Sequence, residues 1–150
     1  MSAADALHEF AAASADDLGI LLAVAARSIN EEVFHRLAAE GETVVRPAHV
    51  PVFAGLHAEG SHITDLAASA GFSRQAMSAL VRDMESAGYV RTEPDPADRR
   101  AVLVLLTDRG AEFCRAAVRI SRTVTDEWRT RLGDDRLSQL IGELRTLGRN

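Results

Sequence analysis

Apolar positions recur at helical spacing along most of the chain and are punctuated by glycine and proline. Leu18, Leu21, Leu22, Ala25, Ile29, Val33 and Leu37 predict one long amphipathic helix ending at Gly41. Ser14 with Asp17 three residues on reads as a capping box at its start, Asp standing in for the usual Glu or Gln. Leu7 and Phe10 predict a helical extension upstream. Pro47 suits a first helical position, and Val50, Phe53 and Leu56 supply an inner face before Gly60. Pro51 would clash with the carbonyl of Pro47, so that helix is expected to start late or kink.

Thr64 is expected to cap a short helix carrying Leu66 and Ala67 and ending at Gly71; Ser73 is expected to cap the next, from Arg74 to about Ala87. Met77, Leu80, Val81 and Met84 form its buried stripe, which leaves Arg74, Gln75, Ser78 and Arg82 on a polar outer side. Past Gly88, Tyr89 to Glu93 and Ala101 to Leu106 are β-type runs around Pro94-Asp95-Pro96-Ala97-Asp98-Arg99-Arg100, a hairpin with an arginine tip. Thr107 caps a long helix bearing Ala111, Cys114, Ala117, Val118, Ser121, Val124 or Thr125, Trp128 and Leu132, ending at Gly133. Asp134 or Asp135 caps the last helix. Its stripe of Leu137, Leu140, Ile141, Leu144 and Leu147 is too rich for a lone surface helix, so it is expected to pack on something.

Composition narrows the class. A chain of 150 residues, 47% hydrophobic and 26% charged, fits one globular domain with a core. The apolar run from Gly19 to Ala26 is stopped by Arg27, far short of a membrane span. Asp5 and Glu9 sit where a signal peptide would carry positive charge, so the expectation is a cytoplasmic protein without a membrane partner. Cys114 is the only cysteine, which excludes an intramolecular disulfide and any multi-cysteine metal site. The net charge of -5 argues mildly against nucleic acid. Its distribution answers the objection: residues 1–72 hold 3 Arg against 10 acids, residues 73–150 hold 14 Arg against 12. Screening beyond roughly 8 Å lets a local arginine cluster grip phosphate on an acidic protein.

Helix, glycine turn, helix and arginine-tipped hairpin make the layout of a winged helix-turn-helix in a mainly α (α+β) chain. A helix fits the major groove of B-DNA, and side chains near its N-terminus reach base edges best. Arg74, Gln75 and Ser78 occupy that end. Arg can pair bidentately with guanine and Gln with adenine, while Arg82 lies further along, where it would grip phosphate. An arginine at a hairpin tip suits the negative potential of a narrow minor groove.

The stretch Ile63 to Val90 (ITDLAASAGFSRQAMSALVRDMESAGYV), then Asp95-Pro-Ala-Asp-Arg-Arg100 and Leu106-Thr-Asp-Arg-Gly110, resembles the multiple antibiotic resistance regulator (MarR) family. The resemblance implies that Arg100 enters the minor groove, that Asp98 braces it, and that Arg99 contacts phosphate; Ser73 joins the DNA-contact set. It further implies a homodimer, with residues 1–44 and 108–150 as dimerisation helices around a DNA-binding lobe of residues 45–107. A small-molecule or oxidant signal would be read in the cleft between dimer helices and lobe. The expected function is a ligand-responsive homodimeric repressor on double-stranded DNA, with no cofactor, no metal and no enzymatic activity.

Two alternatives stand beside it. One is a winged-helix protein-interaction module without DNA binding; the other is a metal- or redox-sensing regulator. Cys114 sits on an apolar stripe, where a free cysteine acts as a small hydrophobe rather than a sensor. His49 and His57 are read as sharing a helix face with Phe53 between them. Eight residues separate them by about 12 Å along a helix, too far to hold one ion, so the three are candidates for lining an effector pocket instead. No Walker loop, GxGxxG, GxSxG or His-Glu-x-x-His appears in the chain.

Overall fold

The structure, a computed structural model, describes residues 2–98 and 101–147. Seven helices and three strands follow in the order α1 (Ala3–Ser14), α2 (Leu18–Ala39), α3 (Val50–Ala54), β1 (Ser61–His62), α4 (Ile63–Ala70), α5 (Arg74–Ser86), β2 (Val90–Pro94), β3 (Val102–Leu106), α6 (Asp108–Leu132) and α7 (Asp134–Leu147). The fold is that of a winged helix-turn-helix: mostly helical, with one small antiparallel sheet in the order β1-β3-β2.

Side-chain caps set most helix starts. Asp17 caps α2 by accepting from the Ile20 N–H at 2.9 Å. Ser14 is no part of that cap, contrary to expectation: its hydroxyl donates back to the Phe10 carbonyl at the end of α1. The proline argument holds for Pro51, since Pro47–His49 form only a 3-10 turn and α3 begins at Val50. Its inner face differs from the expected one, with Val52 and His49 buried and Val50 exposed. Gly55 follows the short α3 directly as its C-cap. Thr64 does not cap α4; the N-cap is His62, and Thr64 lies inside the first turn. Gly71 and Gly88 carry φ of 67° and 79° and allow the tight exits of α4 and α5.

The core joins Leu37 of α2, Val52, Leu66 and Ala67 of α4, Met77, Val81 and Met84 of α5, Tyr89, Val104 and the inner face of α6. Met77, Val81 and Met84 confirm the α5 stripe, with Leu80 partly buried beside them. On α6 the buried residues are Gly110, Phe113, Ile120 and Val124: the first three lie one position before Ala111, Cys114 and Ser121 of the stripe read from the sequence, and Val124 is one of the two alternatives named there. The helix is covered on two sides: Cys114, Ala117, Val118 and Ser121 face a second, shallower space shared with α2 and α3. Neither Asp134 nor Asp135 is a cap, because α7 already begins at Asp134.

Candidate nucleic-acid interface

The helix-turn-helix is built from α4, Gly71 and α5. Ser73 Oγ accepts from the Ala76 N–H at 3.1 Å, so the start of α5 is pinned with its first turn outward. Arg74, Gln75 and Arg82 are exposed, and none makes an ion pair or side-chain hydrogen bond with the other described residues. Glu85, a conceivable partner for Arg82, is taken: its Oε1 accepts from the Thr92 backbone N–H at 2.8 Å and the Thr92 hydroxyl at 2.6 Å. That pair ties α5 to β2. Ser78 is half-buried, and its hydroxyl donates to the Arg74 carbonyl at 2.7 Å, which leaves its oxygen lone pairs to accept.

The wing is β2 and β3 in register from Val90↔Leu106 to Pro94↔Val102. Beyond Pro94 the chain turns on Asp95, whose Oδ1 accepts from the Ala97 N–H at 2.7 Å, while Ala101 N–H returns to the Asp98 carbonyl at 2.8 Å. Arg99 and Arg100 lie outside the described residues. Asp98 lines a cleft of about 260 Å³ shared with Arg74 of α5, His62 of β1 and Val102 of β3, so the N-terminus of α5 and the base of the wing tip open on one concavity.

Sequence reasoning missed β1 and His62. Two residues show no period, and β1 exists only because Ser61 and His62 pair with Val104 and Leu103. His62 Nε2 stands 2.9 Å from Asp95 Oδ2, and its Nδ1 stands 3.4 Å from Asp65 Oδ2. The hydrogen bond to Asp95, then that to Asp65, raise the imidazole pKa above 6.5. The Ala97 N–H first, then His62, hold the Asp95 carboxyl below its usual range.

The hinge between wing and α6 explains the Leu-Thr-x-x-Gly signature. Thr107 caps α6 by accepting from the Gly110 N–H at 3.1 Å, and its N–H reaches the Tyr89 carbonyl at 3.2 Å. Gly110 packs so closely on that carbonyl that a side chain has no room. Arg109 lies over the Tyr89 ring, 4.4 Å from its centroid, and donates to the Ala87 carbonyl. Tyr89 in turn donates its hydroxyl to Glu42 Oε2 at 2.7 Å.

His49, Phe53 and His57 do not form one face. His57 is exposed beyond the end of α3, where its N–H donates to Ser61 Oγ. His49 is buried; Nδ1 accepts from the Arg46 N–H, and Nε2 has no hydrogen-bond partner, its nearest carboxylate being Asp83 at 3.9 Å. Desolvation holds this imidazole below its ordinary pKa. Phe53 alone of the three lines the space between α2, α3 and α6. Cys114 lines it too, with burial raising its thiol pKa. Among the described residues no cluster of three or more His, Cys, Asp or Glu could hold a metal ion, and no helix is long and apolar enough to cross a membrane.

A capped recognition helix beside a β-hairpin, both opening on one cleft, defines a winged helix-turn-helix protein. Residues 45–101 match the sequence model of the MarR family, in agreement with the resemblance read from the sequence. The transcriptional regulator HosA of Escherichia coli O111:H- is 35% identical over 63 residues, 42% of this chain and 47% of that protein. The match thus spans about half the length of this curated relative. Among solved structures, the transcriptional repressor CouR bound to a 23-mer DNA duplex is 25% identical, covering 90% of this chain and 94% of that one with a TM-score of 0.73. CouR from Rhodococcus jostii RHA1 bound to p-coumaroyl-CoA is 24% identical over 89% and 93% of the two chains, with a TM-score of 0.71. The family match and the solved structures agree on a winged helix-turn-helix of MarR type.

Proposed function

We propose that the protein is a ligand-responsive repressor that binds a pseudo-palindromic operator as a homodimer. The observation that carries the DNA-binding part is the outer face of α5, where Arg74, Gln75 and Arg82 stand exposed without protein partners beside the wing. CouR, similar over nearly the whole chain, is a repressor with a DNA-bound structure, which supports the same use here. In this reading Arg74, Gln75 and Ser78 read base edges, Ser73 and Arg82 meet phosphate, and Asp98, Arg99 and Arg100 form the wing contact.

The homodimer reading rests on apolar surface. Leu7 and Phe10 of α1 are each 68% exposed, and Leu18, Leu21, Leu140, Leu144 and Leu147 are exposed too. Leu22, Trp128, Leu140 and Leu144 border an apolar groove of about 430 Å³ between α2, α6 and α7. A second copy burying these helices would remove this exposed apolar surface from water. Two-fold symmetry would then set the recognition helices roughly 34 Å apart, on half-sites about 10 bp apart.

The effector is assigned to the space of about 310 Å³ between α2, α3 and α6, bordered by Ile29, Val33, Phe34, Phe53, Cys114 and Val118. This lining suits a lipophilic or aromatic molecule. It lies between the dimer helices and the DNA-binding lobe, so a ligand favouring a DNA-incompatible spacing lowers operator affinity by that preference.

The test is an anisotropy titration against promoter DNA flanking the protein's own gene at two salt concentrations. Salt-dependent specific binding is expected, with the salt slope reduced by about 1 in Arg100→Ala. Gln75→Ala should lose about 1–3 kcal/mol of discrimination at one base pair. A folded dimer that binds no DNA at low salt refutes the reading and favours the protein-interaction module.

A further inference from the structure

We propose that His62 is a positioning residue for the wing: in its doubly protonated form it clasps Asp95 at the root of the tip to Asp65 on α4, so that proton concentration sets how firmly the wing is held for DNA. The inference rests on the DNA-binding reading for its functional consequence, and on geometry alone for the clasp.

The ring stands between two carboxylates, Nε2 at 2.9 Å from Asp95 and Nδ1 at 3.4 Å from Asp65. A neutral imidazole carries one N–H and one lone pair. It can therefore donate to one of these oxygens only, while its lone pair confronts the other. The imidazolium donates to both. Three separate pieces of chain meet at this ring: β1, which carries it; α4, which supplies Asp65; and the wing, which supplies Asp95. Asp95 in turn organises the tip through the Ala97 N–H, and its own N–H reaches the Ala101 carbonyl at 3.0 Å. Loosening Asp95 thus loosens the turn that carries Ala97 and Asp98.

The charged groups facing His62 are Asp65 from α4, Asp95 and Asp98 from the wing, and Arg74 from α5 across the cleft. Asp95 first and then Asp65 favour the imidazolium and raise its pKa, while Asp98 and Arg74 border the same cleft with opposite charges. The sign follows: the clasp is complete below the ordinary imidazole value and is lost as pH rises through the higher folded value. Its lower limit is set by Asp95, whose depressed pKa keeps it ionised through the mildly acidic range.

Two arms test this on the full-length protein. The first needs no DNA. By NMR, His62 should titrate above an ordinary imidazole in the wild type and lose that elevation in Asp95→Asn, and the Ala97 and Ala101 amides should exchange faster above the titration. An unelevated His62, or wing exchange identical in His62→Gln at every pH, overturns the clasp. The second arm is operator affinity from pH 6 to pH 8.5. Wild-type affinity should fall about three- to tenfold across the His62 titration, as linkage requires when the DNA-bound wing holds the imidazolium more firmly than the free wing does. His62→Gln, which supplies one amide donor and no charge, should be flat through that range. A wild-type profile with no step removes the coupling to DNA, whereas absence of DNA binding at any pH with an elevated His62 removes the regulator reading and leaves the clasp standing.

Discussion

Gly110→Ala offers a sharp test of the hinge that carries the wing, because two principles predict opposite signs. Gly110 lies in the first turn of a 25-residue helix, where replacing Gly by Ala ordinarily gains about 1 kcal/mol of helix propensity. Here a Cβ would stand 2.1 Å from the Tyr89 carbonyl oxygen, 3.1 Å from its carbon and 2.7 Å from Leu106 Cδ1. Leu106 is exposed and can turn aside. The Tyr89 carbonyl cannot, since it accepts from the Thr107 N–H at 3.2 Å and the Thr107 hydroxyl stands 2.9 Å away. Forcing the start of α6 off β2 adds about 1–3 kcal/mol of overpacking and weakens two hydrogen bonds of about 1 kcal/mol each. Less the propensity gain, the net loss is roughly 2–4 kcal/mol, or about 5–15 °C in Tm for a chain of this size. Thermal and urea unfolding at equal protein concentration measure it. Gly142→Ala is the control: it sits on α7 opposite the leucine stripe with nothing within 4 Å of the added carbon, and should gain up to about 1 kcal/mol. If Gly110→Ala is as stable as Gly142→Ala, the close approach of α6 to β2 is wrong.

Cys114, with its thiol pKa raised by burial, should react with a thiol reagent at pH 7 at least about tenfold more slowly than a free cysteine; equal or faster labelling would revive the redox-sensing alternative. Stability should also fall on acidification. The hydrogen bond from Arg36 lowers the pKa of Glu127, and that from Arg119 lowers the pKa of Glu40. Each contributes stability present above its unfolded value near 4.5 and lost as pH falls through its lower folded value. Arg36→Gln should flatten this acid limb in a urea midpoint measured against pH, and an unchanged slope would show that the Arg36–Glu127 pair is not populated in solution.

The winged lobe was legible because each of its parts obeys a local rule. Ser73 caps α5, a 3-1-3 spacing turns Met77, Leu80, Val81 and Met84 inward, and Gly71 and Gly88 take the left-handed exits their turns require. What escaped the sequence depends on tertiary pairing. β1 is two residues long and owes its existence to β3. On α6 two apolar stripes overlap, since Cys114, Ala117 and Val118 look as inward as Phe113, Ala116 and Ile120; only the position of α2 and the aromatic cluster of Phe53, Tyr89 and Phe113 decides which is deeper. His49 and His57 were separated by the same limit. Running the helix on to Gly60 set them on one face, whereas the α3 that forms ends at Ala54.

The distribution of ion pairs shows how an acidic chain can present a basic reading face. Arg36 is held by Glu32 and Glu127, Arg119 by Glu40, and Arg129 by Asp126 and Asp134, all on the helices flanking the winged lobe. There the arginines neutralise neighbouring carboxylates and leave the excess acid on the scaffold. On α5 the rule reverses: Glu85 is diverted to Thr92, and Arg74 and Arg82 are left without a carboxylate partner among the described residues. Since screening confines exposed charges to about a Debye length, phosphate arriving at α5 meets these two guanidinium groups more strongly than the acids of α2 or α7. The net charge therefore measures the scaffold, and the partnering of individual acids decides the sign of the surface that would meet DNA.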